Sequence, residues 1–133
     1  MADVTVTWTG EQLFQIADKA GHTVLTGMDD RAPRPTSLLL GALASCAGVD
    51  LVTILAKKRQ KVTGIEAHLT KESAPEPPWA IIKIELEWVI RGHKLSEKAV
   101  TDAVHLAEDK YCSVAASLKS EIVTRIRLVE EGG

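Results

Sequence analysis

Several functional classes are excluded by what this chain has little of. Aromatic residues make up only 4% of it, with three tryptophans, one tyrosine and one phenylalanine, too few for platforms that stack unpaired bases. Neither sign of charge dominates: 16 Lys+Arg against 18 Asp+Glu leave a formal net charge of −2. The basic stripe that non-specific nucleic-acid binding requires is therefore missing, and no nucleic-acid partner is expected. The opening stretch MADVTVTWTGEQ has neither a basic segment nor an apolar run. No secretory signal is expected, and the protein is read as cytoplasmic. His22, His68, His93 and His105 form no pair at i, i+3 or i+4, and no C-x-x-C, H-E-x-x-H or G-x-G-x-x-G occurs. Neither a metal nor another cofactor is expected. There are only two cysteines, Cys46 and Cys112. In a cytoplasmic chain they are expected to be reduced or redox-active rather than a structural staple.

One long hydrophobic run is present. LLLGALASCAGVDLVTIL, residues 38–55, is almost all hydrocarbon and carries Cys46 in its middle. It has about the length of a membrane span, and KKRQK follows it like a stop-transfer flank. Asp50 inside the run opposes that reading, because a carboxylate there costs roughly 3 kcal/mol on insertion. So do the strands around it, which have one apolar side each and need something to cover. The run is read as a core helix, with no membrane partner.

With 133 residues, the chain has the size of one domain, 1–133, with a modest core. VTVTW alternates with period two, and the turns at Thr9-Gly10 and Ala20-Gly21 predict a three-strand meander. Pro35-Thr36-Ser37 opens the helix, with Thr36 as its N-cap. Leu39, Leu40, Leu43, Ala47 and Leu51 form a stripe, while Leu38, Ala42, Val49 and Val52 fill much of the remaining circumference. A helix apolar nearly all round is buried nearly all round, and one small sheet covers only one side. A homodimer is expected to finish the covering. Strands follow from VTGIEAHLTK and from the alternation of Ile82, Ile84, Leu86, Trp88 and Ile90. Ser96 caps a second helix with Leu95 and Val100 as a staple, and its buried stripe is Val100, Ala103, Val104, Ala107 and Tyr111. A helical turn at YCSVAASLKS and a strand at EIVTRIRLVE close an α+β chain with mostly antiparallel pairing.

For Cys46 the residues alone leave two readings open. It is a small buried hydrophobe, or it is a reactive thiol whose pKa something positive must depress. Asp50, one turn along, pulls against the thiolate. Cys112 has Lys110 nearby and a helix start at CSVAAS, so local logic makes Cys112 the more acidic thiol.

PTSLLLGALASCAGVDLVTILAKKR and DKYCSVAASL together resemble the two signatures of the OsmC/Ohr family, the osmotically inducible and organic hydroperoxide resistance proteins, in a less characterised branch. The resemblance covers essentially the whole chain. It implies an OsmC-like fold, with mostly antiparallel sheets around two long central helices in an intertwined homodimer. It implies a thiol-dependent peroxidase acting on alkyl or lipid hydroperoxides. In that chemistry Cys46 attacks the O–O bond, Cys112 resolves the sulfenic acid, and an external dithiol reduces the disulfide. The peroxidase pattern also pairs its cysteine with an early-strand arginine and a glutamate at the helix start. Here Thr36 and Ser37 stand at the helix start and no arginine precedes Arg31, so Arg31 and Arg34 are the candidate activating cations. Two alternatives use the same fold. One is a non-catalytic protein that binds an apolar small molecule in the dimer pocket, and the other is an interaction protein with inert cysteines.

Overall fold

The computed structural model describes residues 2–132 and follows the expected element order. The chain divides into two compact units, Met1–Ala42 and Leu43–Gly133. The first holds β1 (Val4–Gly10), β2 (Leu13–Asp18) and β3 (Thr23–Gly27), an antiparallel meander in the order β1-β2-β3. Both predicted turns are there. Gly10 and Gly21 take the positive φ values, 114° and 91°, that a side chain would resist. The second turn is tied by the Asp18 carboxylate, which accepts from the amides of Ala20 and His22 at 2.9 Å each.

Helix α1 runs from Pro35 to Lys57. It starts one residue before the expected cap, because Pro35 opens the first turn with its φ already set and no amide proton to satisfy. Thr36 is therefore inside the helix. The far end closes through Arg59, at φ 57°, with its amide on the Ala56 carbonyl and the Gln60 amide on the Leu55 carbonyl. That is the paired-bond arrangement that usually takes glycine. The buried residues of α1 are Leu43, Ala44, Ala47, Leu51 and Leu55. Leu39 and Leu40 lie outside this stripe, and Val49 and Val52 are 71% and 57% exposed. By length and composition alone α1 is apolar enough to cross a membrane.

In the second unit, β4 (Lys61–Ser73) and β5 (Ile81–His93) form a long antiparallel hairpin, and β6 (Glu121–Glu130) pairs with β5 in parallel. Three of the four strand pairs are antiparallel, as the mostly antiparallel expectation has it, and β5–β6 is the one parallel pair among the described residues. α2 (Glu97–Leu106), a π-helical turn (Ala107–Tyr111) and α3 (Ser113–Ser117) supply the crossover that a parallel neighbour needs. Where β4 bulges, Gly92 lets the backbone of Lys61 approach, because a Cβ there would lie 2.2 Å from the Lys61 carbonyl oxygen. Ser96 caps α2 as predicted, its side chain accepting from the Ala99 amide at 3.2 Å. Val100, Ala103, Val104 and Ala107 are buried, but Tyr111 is 50% exposed. The wider π turn rotates Tyr111 off the stripe that α-helical spacing predicts. The core of this unit joins that face of α2 to Ile84, Leu86, Trp88 and Ile90 of β5 and the buried face of α1.

Candidate functional site

Two elements of the second unit bring the cysteines together. Cys46 stands in α1, three residues beyond the buried Leu43, at a partly exposed position. Cys112 is buried at the junction of the π turn and α3. There it takes extended backbone angles and caps α3, its sulfur accepting from the Ala115 amide at 3.3 Å. The Cys112 thiol also points to the Leu43 carbonyl on α1, at 3.8 Å. Both cysteines are free thiols, and they lie near each other.

The electrostatics separate the pair. Cys46 is held below the ordinary thiol value, first by the backbone amide of Val114 and then by a hydrogen bond from Cys112. Ser113 adds its hydroxyl, 3.9 Å from the Cys46 sulfur, and its amide. Cys112 is pushed upward, first by burial and then by its position beside Cys46. The expectation that Cys112 is the more acidic thiol is thus reversed. Cys112 spends its place at the helix start on capping and is desolvated there, whereas Cys46 receives the amides of the same turn from outside it. Lys110, offered in the sequence as a cation for Cys112, lies 5.5 Å from the centre of the Tyr111 ring. What the sequence did not reveal is that the Ser113 hydroxyl and the amides of Ser113 and Val114 would favour the thiolate of Cys46, 67 residues before Ser113. Backbone donors carry no residue signature.

Arg31 and Arg34 belong to the first unit. Arg31 binds the Asp29 carboxylate through Nε and Nη2 at 2.8 and 2.7 Å, and reaches Glu11 at 3.0 Å. The guanidinium holds the Asp29 carboxyl down to about 2. Arg34 directs Nη1 to the sulfur of Met28 at 3.3 Å. Among the described residues no group of histidines, cysteines and carboxylates is arranged to hold a metal ion.

Along α1 beyond Cys46, a cleft of about 460 Å³ is lined by Asp50, Thr53, Ile54, Leu106 and Tyr111, with Lys57 and Lys58 at its end. Asp50, at i+4, is one helical turn from Cys46 on the same face. A second, more apolar cleft of about 390 Å³ lies between α1 and β4, lined by Val52, Leu55, Val62 and Ile65 among others.

A buried thiol capping a short helix, facing a more acidic thiol on a long apolar helix, in a chain of two three-stranded sheets, defines a class. The family described as OsmC-like protein matches residues 27–127, a stretch that includes both cysteines. Protein YhfA of Escherichia coli K12 is 36% identical over 119 residues, covering 88% of this chain and 89% of YhfA. The chain belongs to the OsmC family. A hypothetical protein from Aquifex aeolicus VF5 superposes with a TM-score of 0.88 at 31% identity, covering 99% of this chain and 98% of that one. The organic hydroperoxide resistance protein OhrB of Bacillus subtilis superposes with a TM-score of 0.60 at 17% identity, covering 95% and 97%. At that identity the likeness to OhrB is one of fold.

Proposed function

We propose that the protein is a thiol-dependent peroxidase that reduces organic hydroperoxides through Cys46 and Cys112 and works as a cytoplasmic homodimer. The observation that carries this reading is the polarity of the pair: a depressed, partly exposed Cys46 beside a raised, buried Cys112. The likeness in fold to an organic hydroperoxide resistance protein supports it.

The chemistry follows from that polarity. The Cys46 thiolate attacks the terminal peroxide oxygen. The O–O bond breaks, Cys46 becomes a sulfenic acid, and the alkoxide leaves and takes up a proton as the alcohol. Oxidation removes the negative charge on Cys46, one of the causes that held Cys112 up. Cys112 thereby becomes easier to ionise at the moment it is needed. Its sulfur attacks the Cys46 sulfur, an S–S bond forms, and the sulfenic oxygen leaves as water. An external dithiol then restores both thiols and is itself oxidised to a disulfide. The hydrocarbon part of the substrate lies against Ile54, Leu106 and Tyr111 in the cleft that starts one turn from Cys46. The amides of Ser113 and Val114 favour the thiolate. A second copy of the chain, rather than lipid, covers Val49 and Val52 of α1.

One equivalent of cumene hydroperoxide should consume both thiols and leave an intramolecular Cys46–Cys112 disulfide, while Cys112→Ser should stop at a trappable sulfenic acid on Cys46. A second reading, a binding protein for an apolar small molecule, is favoured by the cleft between α1 and β4, which is lined by neither thiol. Thiols that stay titratable under peroxide decide for that second reading.

A further inference from the structure

Resting on the thiol-pair reading above, we propose that Glu108 is the positioning residue for the resolving step. It clamps the π-helical turn that carries Cys112 to the sheet through Trp88 and Thr124. The π turn Ala107–Tyr111 ends on the residue before Cys112. A π-helical turn is rare and needs something to hold it against relaxing to α-helix. Glu108 lies within it, and each oxygen of its carboxylate has a donor. The Trp88 indole N–H donates to Oε2 at 2.9 Å, and the Thr124 hydroxyl donates to Oε1 at 2.6 Å. Those donors come from neighbouring parallel strands: Trp88 lies on β5, and Thr124 on β6 is in register with Leu86. The carboxylate therefore ties the turn to two strands at once.

Trp88 also faces the other thiol's helix. It is almost wholly buried, and its ring edge lies 3.7 Å from where a Cβ on Gly48 would be, two residues beyond Cys46. One indole thus touches the helix of Cys46 with its ring and the turn of Cys112 with its N–H. Loss of the clamp leaves a buried N–H unpaired and lets the turn slip toward α-helical spacing. A one-residue change of helical phase swings a side chain by about 100°. That is enough to carry the Cys112 sulfur away from Cys46.

The resolving step is then the one that depends on Glu108. Glu108→Gln keeps the size of the side chain but turns one acceptor into a donor that faces Trp88 or Thr124. The protein is treated with one equivalent of cumene hydroperoxide in the presence of dimedone. Mass spectrometry reads the ratio of dimedone adduct on Cys46 to Cys46–Cys112 disulfide. Glu108→Gln should raise this ratio at least about tenfold, within the roughly hundredfold loss that misplacement by about 1 Å can bring. Thr124→Val should raise it in the same direction, and Thr124→Ser, which keeps the hydroxyl, should restore the wild-type ratio. A purely structural defect slows Cys46 oxidation as well and leaves the ratio in place, so an unchanged ratio in Glu108→Gln overturns the inference. If Glu108→Gln does not fold, the ratio in Thr124→Val decides by the same criterion. Wild-type protein that forms no disulfide overturns the thiol-pair reading itself, an outcome distinct from either variant result.

Discussion

The two sheets of this chain share one alternating pattern and meet different fates. In β5 the alternate residues Ile84, Leu86, Trp88 and Ile90 are buried. In β1 the equivalent residues Val4, Val6 and Trp8 are exposed, Trp8 at 63%. The first unit buries Leu13, Thr26 and Gly27 of its three strands and little else. Alternation therefore says that a strand has an apolar side, but it does not say what covers that side. In the second unit the cover is in the same chain, formed by α1 and α2. In the first unit it is a second copy, on the dimer proposed above.

Two aspartate substitutions break or sharpen this contrast, and they carry the largest effects. Leu43 is 1% exposed, so Leu43→Asp buries an unpaired charge at a cost of about 4 kcal/mol or more. Circular dichroism should find little folded protein. Val6, 56% exposed in the single chain, should tolerate Asp without loss of fold. In the homodimer the same change charges a buried seam, so sedimentation equilibrium of Val6→Asp should give a folded monomer where wild type gives a dimer. A Val6→Asp protein that stays dimeric removes the β1 face from the proposed interface.

The legibility of the fold divides along the same line. Most strands and helices of the described residues were visible in periodicity, capping and turn signals, because Ser96, the alternation in β5 and the apolar run of α1 are local signals. The pair Cys46 and Cys112 was visible too, through the residues around each. The parallel placement of β6 and the π turn were not, since α-helical spacing extrapolates straight through Ala107 to Tyr111. One cause of the lowered Cys46 thiol was invisible for a different reason. The amides of Val114 and Ser113 contribute to it, and main-chain donors draw no attention in a sequence as side chains do. The start of α1 was misplaced by two residues because Thr36 reads as a cap while Pro35 does the work of opening the turn.

The thiols extend the comparison to reactivity, with effects of intermediate size. Cys46 alone, in Cys112→Ser, loses one of its hydrogen bonds but keeps the Val114 amide, the first cause of its shift. Its iodoacetamide alkylation should therefore titrate below the ordinary thiol value of about 8.5. Cys112 alone, in Cys46→Ser, stays buried and should titrate above it. The two shifts act oppositely on stability. The folded value of Cys46 is depressed, so its contribution is fully present above the unfolded value and is lost as pH falls through the folded value. The folded value of Cys112 is raised, so its contribution is present below the unfolded value and is lost as pH rises through the folded one. The Tm deficit of Cys46→Ser against wild type should hence grow from neutral pH to about 9. With the amides as activating groups, Arg31→Ala and Arg34→Ala should leave the alkylation midpoint of Cys46 where it was. An upward move in either variant assigns a share of the activation to that guanidinium.

The smallest effects come from the two glycines of α1, which lie one in each unit. Glycine inside a helix costs about 0.8–1 kcal/mol relative to alanine, so each is a stabilising substitution if the new methyl group has room. At Gly48 the methyl group would meet the Trp88 ring at 3.7 Å, ordinary van der Waals contact. Gly48→Ala should therefore raise stability by up to about 1 kcal/mol, and it should leave the ratio of trapped sulfenic acid to disulfide unchanged, because the ring need not move. At Gly41 a Cβ meets nothing within 4 Å in the single chain. If that space stays open in solution, Gly41→Ala should gain about as much as Gly48→Ala in denaturant unfolding. If a second copy packs its backbone there, the gain should vanish and the dimer should weaken with it. Equal gains at both positions, with an unaltered dimer, would place the seam elsewhere on α1, at Val49 and Val52. A gain at Gly48 alone would bring the seam to the first turns of the helix, where Gly41 lets two backbones approach.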